Sequence, residues 1–391
     1  MTEKASPSPD FSFSLVEDPL LCAQRLLRLA PRDGLGAVRR AVFFALVSWV
    51  PIVVWAGVTG HLYGGISAEP LVRHFSVHVR CLLAIPLMIV ADVIAARILG
   101  LVIPHFVSSG LVPEKSHERF REILRAAERL RDSRLAWLAI LALIVSNLVT
   151  GSVRGAETDA MNWAVNGGAL GFGGLWFIFV ARTLFLLFAT VWLWRLAVLI
   201  VLCRRLAGMG LDLAPAHPDH AGGLGFLNIL PVAFSAVVLA ISCVVASSAA
   251  HAVLYHDAPF TTFKSVAGAA VVILSLLFLA PLFTFSGPLR RIRIRARLEY
   301  GSLAGRHARA VHARWIEGAA IADAPFLDAP ELGPAADVAT LYQLATSIRV
   351  VPIGKTALGA VLIPAAVPLL IVAALEVPLK DVLLKLLGAL V

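Results

Sequence analysis

Long runs of apolar residues constrain this chain more than any other feature. Seven such runs approach the length of about 20 residues that crosses a bilayer as a helix. Because hydrocarbon offers no water to an unpaired backbone, each run is predicted to be helical. The predicted spans cover approximately residues 41–59, 81–102, 135–150, 175–202, 226–253, 266–285 and 356–375.

Composition supports this interpretation. Of the 391 residues, 59% are hydrophobic and only 15% are charged, and the mean hydropathy of +0.84 lies far outside the range of soluble domains. The predicted fold class is all-α, a polytopic transmembrane helix bundle of about seven spans with amphipathic juxtamembrane helices.

Basic residues between the spans predict the orientation of the chain. Alternate loops, beginning with the N-terminal tail, hold 24 Lys and Arg, whereas the other loops and the C-terminal tail hold 6. Loops rich in Lys and Arg are retained in the cytoplasm, so the N-terminus is predicted to be cytoplasmic. Residues 1–38 do not resemble a cleavable signal peptide, so the first span is predicted to act as an uncleaved insertion signal. The net charge of +9 follows from this clustering beside spans, so the predicted partners are membrane lipids and not nucleic acid.

Four regions are predicted along the chain. Residues 1–38 form a cytoplasmic tail with an amphipathic helix, and residues 39–286 form a six-span bundle with a cytoplasmic helix at 116–134. Residues 287–350 form a basic cytoplasmic segment, and residues 351–391 form the seventh span and an amphipathic C-terminal helix. The sequence leaves the span count open between six and eight, and it leaves a homo-oligomer open.

Charged residues inside spans are the first candidates for function. Asp92 lies near the middle of the second span, where a carboxylate is costly unless it is paired, protonated or exposed to water. Arg182 in the fourth span is the candidate partner, although its predicted depth differs from that of Asp92 by up to two turns. Arg195 lies nearer the cytoplasmic face, where it could extend its side chain to the headgroups. A polar transport path and a buried structural pair both fit this pattern.

The stretch HPDHAGGLGFL, residues 217–227, is the second candidate. In one interpretation Asp219 or a neighbouring polar group caps the fifth span, and Gly222 and Gly223 allow close backbone approach. In another, His217, Asp219 and His220 bind a metal or transfer protons. In the third, the glycine-rich backbone holds a phosphate or a lipid headgroup together with Arg204 and Arg205.

Histidines and cysteines give weaker signals. Five His residues lie at the predicted outer ends of spans: His61, His74, His78, His251 and His256. His74 and His78 are four residues apart and would share one face of a helix, but no further ligand completes a metal motif. The four Cys residues show no paired spacing. The sequence predicts no metal and no cofactor.

Two blocks of sequence carry a resemblance. The stretch HPDHAGGLGFL and the stretch DVATLYQLATSIRVVPIGKTALGAVLIPAAVPLL resemble an uncharacterised family of bacterial multi-spanning inner-membrane proteins. The resemblance implies a location in the inner membrane. It implies no catalytic residues, because the function of that family is not established.

The function predicted from these features is transport or a channel-like role along a polar path near Asp92 and Arg182. The alternative is a non-catalytic sensor or scaffold whose basic cytoplasmic face binds anionic lipid or a partner. An enzyme acting on a lipid phosphate through Arg204, Arg205 and His220 ranks third, since no Walker, HExxH or GxSxG motif is visible.

Overall fold

The computed structural model describes residues 11–32, 34–63, 70–154, 159–166, 169–255, 259–318 and 333–376. Within them the chain is almost entirely helical, which confirms the predicted fold class. The only strand pairing in the described residues is a short antiparallel hairpin of β1 (Val165–Asn166) and β2 (Ala169–Leu170). The predicted C-terminal amphipathic helix, from residue 377 onward, lies outside the described residues, as does His256.

Thirteen α-helices follow one another along the described part of the chain. The first six are α1 (Pro19–Leu26), α2 (Ala37–Val58), α3 (Phe75–Val79), α4 (Ile85–Ser108), α5 (His117–Arg131) and α6 (Arg134–Arg154). The others are α7 (Phe172–Trp176), α8 (Thr183–Ala207), α9 (Ser235–Tyr255), α10 (Phe260–Phe283), α11 (Ser286–Trp315), α12 (Gly333–Thr346) and α13 (Lys355–Glu376). The helix expected at 116–134 is α5, and the start of the basic segment after the sixth span is helical in α11.

Seven helical stretches of the described chain are long and apolar enough to cross a membrane, and they match the seven predicted spans. They are Ala37–Val58, Phe75–Ser108, Glu114–Thr150, Phe172–Ala207, Gly225–Tyr255, Thr261–Phe283 and Lys355–Ala374. Six of the stretches are longer than the apolar runs predicted, because they include further helical residues at their ends. The chain is therefore a multi-pass membrane protein.

Four of the spans contain helix that is not of the α type, and the third span begins with a short 3-10 helix, Glu114–Ser116. The second span passes through a π-helical turn at Arg80–Ala84 and the fourth through one at Phe177–Arg182. The fifth span begins with a 3-10 helix, Gly225–Phe234, which contains Pro231. Ten residues is long for a 3-10 helix, and a proline inside it removes one backbone donor. Departures of this kind are frequent at functional positions of helices.

The spans differ in how deeply they are packed. The fifth span, which contains α9, is the most buried and lies against α4, α10 and α13. The third span, which contains α6, is the least buried and packs mainly on α8. The main apolar core extends from α4 through α8 and α9 to α13. A second, smaller core lies around the buried Trp163 and Ile52.

The N-terminal segment, helix α5 and the loop between α8 and α9 lie at the same end of the bundle and are held there by packing and hydrogen bonds. The N-terminal segment, defined here as residues 11–28, packs Phe11 edge-on against Phe120 of α5, with ring centroids 5.8 Å apart. The loop between α8 and α9 bonds back to the end of α4, because the Asp212 N–H donates to the Leu111 carbonyl at 2.9 Å. This end of the bundle, with α5 and α11, is called the basic end below. Residues 11–30 are thus partly built into the core, which the prediction of a cytoplasmic tail had not included.

Candidate functional site

Four charged side chains from distant parts of the sequence meet inside the bundle. The Asp92 carboxylate accepts from Arg40 Nη2 at 2.7 Å and from Arg195 Nη1 at 2.6 Å. Arg195 also donates to the Asp18 carboxylate, from Nε at 2.9 Å, and its Nη2 lies 2.8 Å from the same oxygen. The four residues, Asp18, Arg40, Asp92 and Arg195, form one chain of ion pairs, called the charge network below.

The charge network is fully buried and its formal charges balance. Each of the four residues is at most 2% exposed. Isolated charges are too costly in such an interior, so they persist only when they are paired and hydrogen-bonded. Two carboxylates and two guanidinium groups leave no net charge. The arrangement therefore links four separate elements of the fold.

Each member of the charge network is held by further contacts. Asp18 precedes α1 and accepts from the Leu21 N–H at 3.0 Å, so it also caps that helix. Arg40 lies in the first turns of α2 and donates to the Leu35 carbonyl at 3.1 Å. The Arg195 guanidinium lies 4.8 Å from the ring centroid of Trp192. The Arg40 Nε, by contrast, is a buried donor with no acceptor among the described residues.

The predicted pairing of Asp92 with Arg182 is wrong, because both Asp92 oxygens accept from other residues. Arg182 is half-buried at the end of the π-helical turn in the fourth span, where the neighbouring charge is Arg80. Arg195 does not extend to a surface either, since it is paired on both sides. Hydropathy gives depth along one helix but not its rotation or its neighbours, so the sequence could not identify Arg40 or Asp18 as partners.

The glycine-rich turn, residues 217–227, is folded around its own carboxylate. Asp219 Oδ1 accepts from the Ala221 N–H at 2.8 Å and from the Gly223 N–H at 3.2 Å, and Oδ2 accepts from the Gly225 N–H at 2.7 Å. His217 Nδ1 lies 2.8 Å from Oδ1. Burial alone would raise the pKa of Asp219, but these donors outweigh it and lower the pKa below its ordinary value.

Glycine is required at the positions of the turn for two different reasons, backbone conformation and close packing. Gly222 and Gly223 have φ of +66° and +94°. Residues other than glycine rarely adopt these backbone conformations. A Cβ on Gly225 would lie 2.8 Å from the Asp219 Cβ, too close for any real contact. These contacts support the interpretation of the stretch as a structural turn. The N–H groups of residues 221, 223 and 225, which could have held a phosphate, already bind Asp219.

The two sequence blocks that carry the resemblance lie against each other. His220 Nδ1 is 2.6 Å from Ser347 Oγ, and the His220 carbonyl accepts from the Arg349 N–H at 2.8 Å. Asn228 joins the same pair of segments, since its side chain accepts from the Gly354 N–H and donates to the Gly225 carbonyl. His220 has φ of +53°, an uncommon conformation for a residue with a side chain. The turn thus connects the start of the fifth span to the segment before the seventh.

Arg204 and Arg205 do not join the glycine-rich turn. Both are exposed in the last turn of α8, and Arg205 faces a groove beside α5. A smaller cavity at the turn is lined by His217, Asp219, Gly222 and Gly223, and neither arginine contributes to it. The residues predicted to form one anion contact therefore lie at two separate places, the glycine-rich turn and the groove beside α5.

The histidines at the opposite end of the bundle take part in packing. His74 precedes α3 in a non-helical conformation, so it does not share a helix face with His78, contrary to the prediction. Trp49 Nε1 donates to His78 Nδ1 at 2.9 Å, which leaves His78 Nε2 to donate to the Leu71 carbonyl at 3.1 Å. The ring of His74 lies against that of His251, with centroids 4.5 Å apart. In the described part of the chain, no group of three or more His, Cys, Asp or Glu could hold a metal ion.

Comparison of the chain with protein-family models, with curated proteins and with solved structures found no match. The class defined by the structure is a multi-pass helical membrane protein with a buried charge network. The resemblance of the two sequence blocks to a bacterial inner-membrane family stays a prediction.

Proposed function

We propose that the protein moves an ion or small solute across the membrane, along a polar path that passes through the charge network. One observation carries the proposal. Asp18, which completes the network, belongs to a segment that precedes the first span, whereas Arg40, Asp92 and Arg195 lie within spans. In this proposal the N-terminal segment closes the path at the basic end.

Electrostatics give this contact two states. While Asp18 binds Arg195, the charges balance and water is excluded. When Asp18 leaves, the network keeps one carboxylate between two guanidinium groups, and removing one partner of a buried pair costs about 3–5 kcal/mol unless water or an ion compensates. Opening and hydration of the site are then coupled, as a gate requires.

Apolar anchors set the population of the two states. Phe13, Leu15 and Val16 of the N-terminal segment are buried beside Asp18. Burial of such side chains contributes roughly 1.5–3 kcal/mol each, so the closed state dominates and the open state is a minority. The unpartnered Arg40 Nε adds a donor that a water molecule or a transported anion could occupy in the open state.

The test is a flux assay on the purified protein in proteoliposomes loaded in turn with protons, potassium and chloride. Asp92→Asn is expected to abolish flux, because it removes the carboxylate between the two guanidinium groups. Asp18→Asn is expected to raise flux about tenfold, because the closing ion pair is lost while asparagine can still cap α1. Glu17→Gln is the matched control, since it removes an exposed carboxylate next to Asp18 and is expected to leave flux unchanged.

Circular dichroism and size-exclusion chromatography establish that each variant is folded. Flux equal to that of protein-free liposomes for the wild type and all three variants would overturn the proposal. Equal flux in wild type and Asp92→Asn would exclude the charge network as the path.

A second candidate is a sensor or scaffold that binds anionic lipid or an acidic partner. The exposed arginines of α11 favour it: Arg290, Arg291, Arg295 and Arg297. This function predicts no flux, and it predicts association of the reconstituted protein with phosphatidylglycerol vesicles that weakens as salt rises. Changing the four arginines to glutamine should abolish the association, and an unchanged association would exclude this surface.

A further inference from the structure

A large groove lies at the basic end, outside the charge network. It has a volume of about 1320 Å³ and runs between residues 12–17 of the N-terminal segment and helix α5, with Arg205 of α8 at its edge. Its walls are fixed in place. The Arg131 guanidinium donates to the Ser14 carbonyl, and the Arg131 carbonyl accepts from Trp137 Nε1 at 3.0 Å and Trp194 Nε1 at 3.2 Å.

One face of α5 lines the groove. Five of the eight α5 residues that line it share one helical face, and they are Arg119, Glu122, Ile123, Ala126 and Arg129. Arg125, Glu128 and Arg131 line it from the sides of that face. The other face of α5 carries Phe120, Leu124 and Ala127, which are buried against the bundle. The apolar face of α5 thus packs on the core, and its polar face lines the groove.

Several charges of the groove are neutralised by neighbours. Arg131 binds Asp132 at 2.7 Å, and Glu17 binds Arg25 at 3.2 Å. Glu128 interacts electrostatically with Arg131. The two ion pairs account for Glu17 and Asp132, and Glu122 and Glu128 are the two other carboxylates that line the groove.

Arginines of the groove outnumber the carboxylates that remain. Arg119, Arg129 and Arg205 make no ion pair with any described residue, and Arg125 has only a 3.6 Å contact with the exposed Glu118. Guanidinium groups from α5 and α8 thus face one space in which two carboxylates, Glu122 and Glu128, are left to balance them. Planar guanidinium groups bind tetrahedral phosphate oxygens through paired N–H donors.

We propose that this groove is a binding site for a phosphate group, held by Arg129 and Arg205 with Arg119 at the outer rim. The site lies where polar and apolar surfaces meet. Helix α5 ends at Arg131, three residues before the apolar α6 begins at Arg134, and Arg205 is in the last turn of α8. Lipid headgroups lie at this level of a bilayer, so the phosphate belongs either to a lipid headgroup or to a soluble molecule.

The experiment measures binding by isothermal titration calorimetry on the full-length protein in an uncharged detergent. One probe is inorganic phosphate and the other is dihexanoyl phosphatidic acid, a soluble lipid with the same phosphate chemistry. The test variant is Arg129→Gln with Arg205→Gln. The matched control is Arg32→Gln with Arg39→Gln, which removes two exposed arginines that do not line the groove.

The test variant is expected to weaken binding at least tenfold and the control less than twofold. Binding of the short lipid without binding of inorganic phosphate assigns the site to a headgroup, whereas comparable binding of both assigns it to the phosphate alone. Equal weakening in both double variants, or no binding of either probe to the wild type, would overturn the site. None of these outcomes depends on flux, so the site and the proposed transport function can fail separately.

Discussion

Asp92 and Asp219 are both carboxylates with little exposure to water, and they are compensated by different kinds of hydrogen-bond donor. Each carboxylate is withdrawn from solvent and needs compensation for lost hydration. Asp219 obtains it from backbone N–H groups within six residues of itself, in the glycine-rich turn. Asp92 obtains it from Arg40 and Arg195, which are 52 and 103 residues away in the sequence. The hydrogen bonds to Asp219 require only the local conformation of the turn. The ion pairs of Asp92 require that the helices of the bundle are assembled.

The two solutions also differ in what happens when they fail. Loss of the turn frees one loop and the start of the fifth span. Loss of the charge network leaves an uncompensated charge in an interior shared by α1, α2, α4 and α8. We therefore expect the network to control global stability and the turn to control local order. Four measurements test this difference.

The largest effect is expected for Arg195→Met, which leaves Asp18 without a guanidinium partner and Asp92 with Arg40 alone. Breaking a buried ion pair from one side costs about 3–5 kcal/mol. Thermal unfolding in detergent should show a large drop in the melting temperature. Arg204→Met is the matched control on the same helix, because Arg204 is exposed. A similar melting temperature for both variants would contradict the role of the network.

The next effect is expected for Asp219→Ala, which removes the acceptor for three backbone donors. Leaving a buried donor unsatisfied costs about 1–3 kcal/mol, and these donors are part-buried, so the lower end of that range is expected. Hydrogen exchange measured by mass spectrometry should rise in residues 217–228 and remain unchanged in α4 and α8. Asp212→Ala, on the exposed part of the same loop, should change neither. Faster exchange throughout the bundle would mean that the turn is not a local unit.

A smaller effect is expected for Gly225→Ala. The added Cβ would meet Asp219 at 2.8 Å, so the turn must shift, at a cost of about 1–2 kcal/mol. Gly268→Ala on α10 is the control, since nothing lies within 4 Å of its added Cβ. There the substitution should stabilise the helix by up to about 1 kcal/mol. Changes of the same sign in both melting temperatures would count against the close approach.

The smallest effect is expected from pH. The folded pKa of Asp219 is lower than its unfolded value of about 3.9, so its charge stabilises the fold fully above that value. The contribution is lost only as pH falls through the still lower folded pKa. The stability difference between wild type and Asp219→Asn should stay constant from about pH 7 to 5 and shrink below about pH 4. A difference that grows on acidification would contradict the assigned hydrogen bonds.

The sequence by itself determined the helical membrane class, the approximate spans and the amphipathic helix α5, and it offered a turn at Asp219 as one of three interpretations. These features depend on hydropathy, on periodicity and on interactions between residues a few positions apart. All three are visible in the sequence alone. Only the tertiary structure decided that Asp92 binds Arg40 and Arg195, that Asp18 completes the network, and that Arg205 faces α5. Those contacts depend on how each helix is rotated and which helices are neighbours, and apolar composition leaves both undetermined.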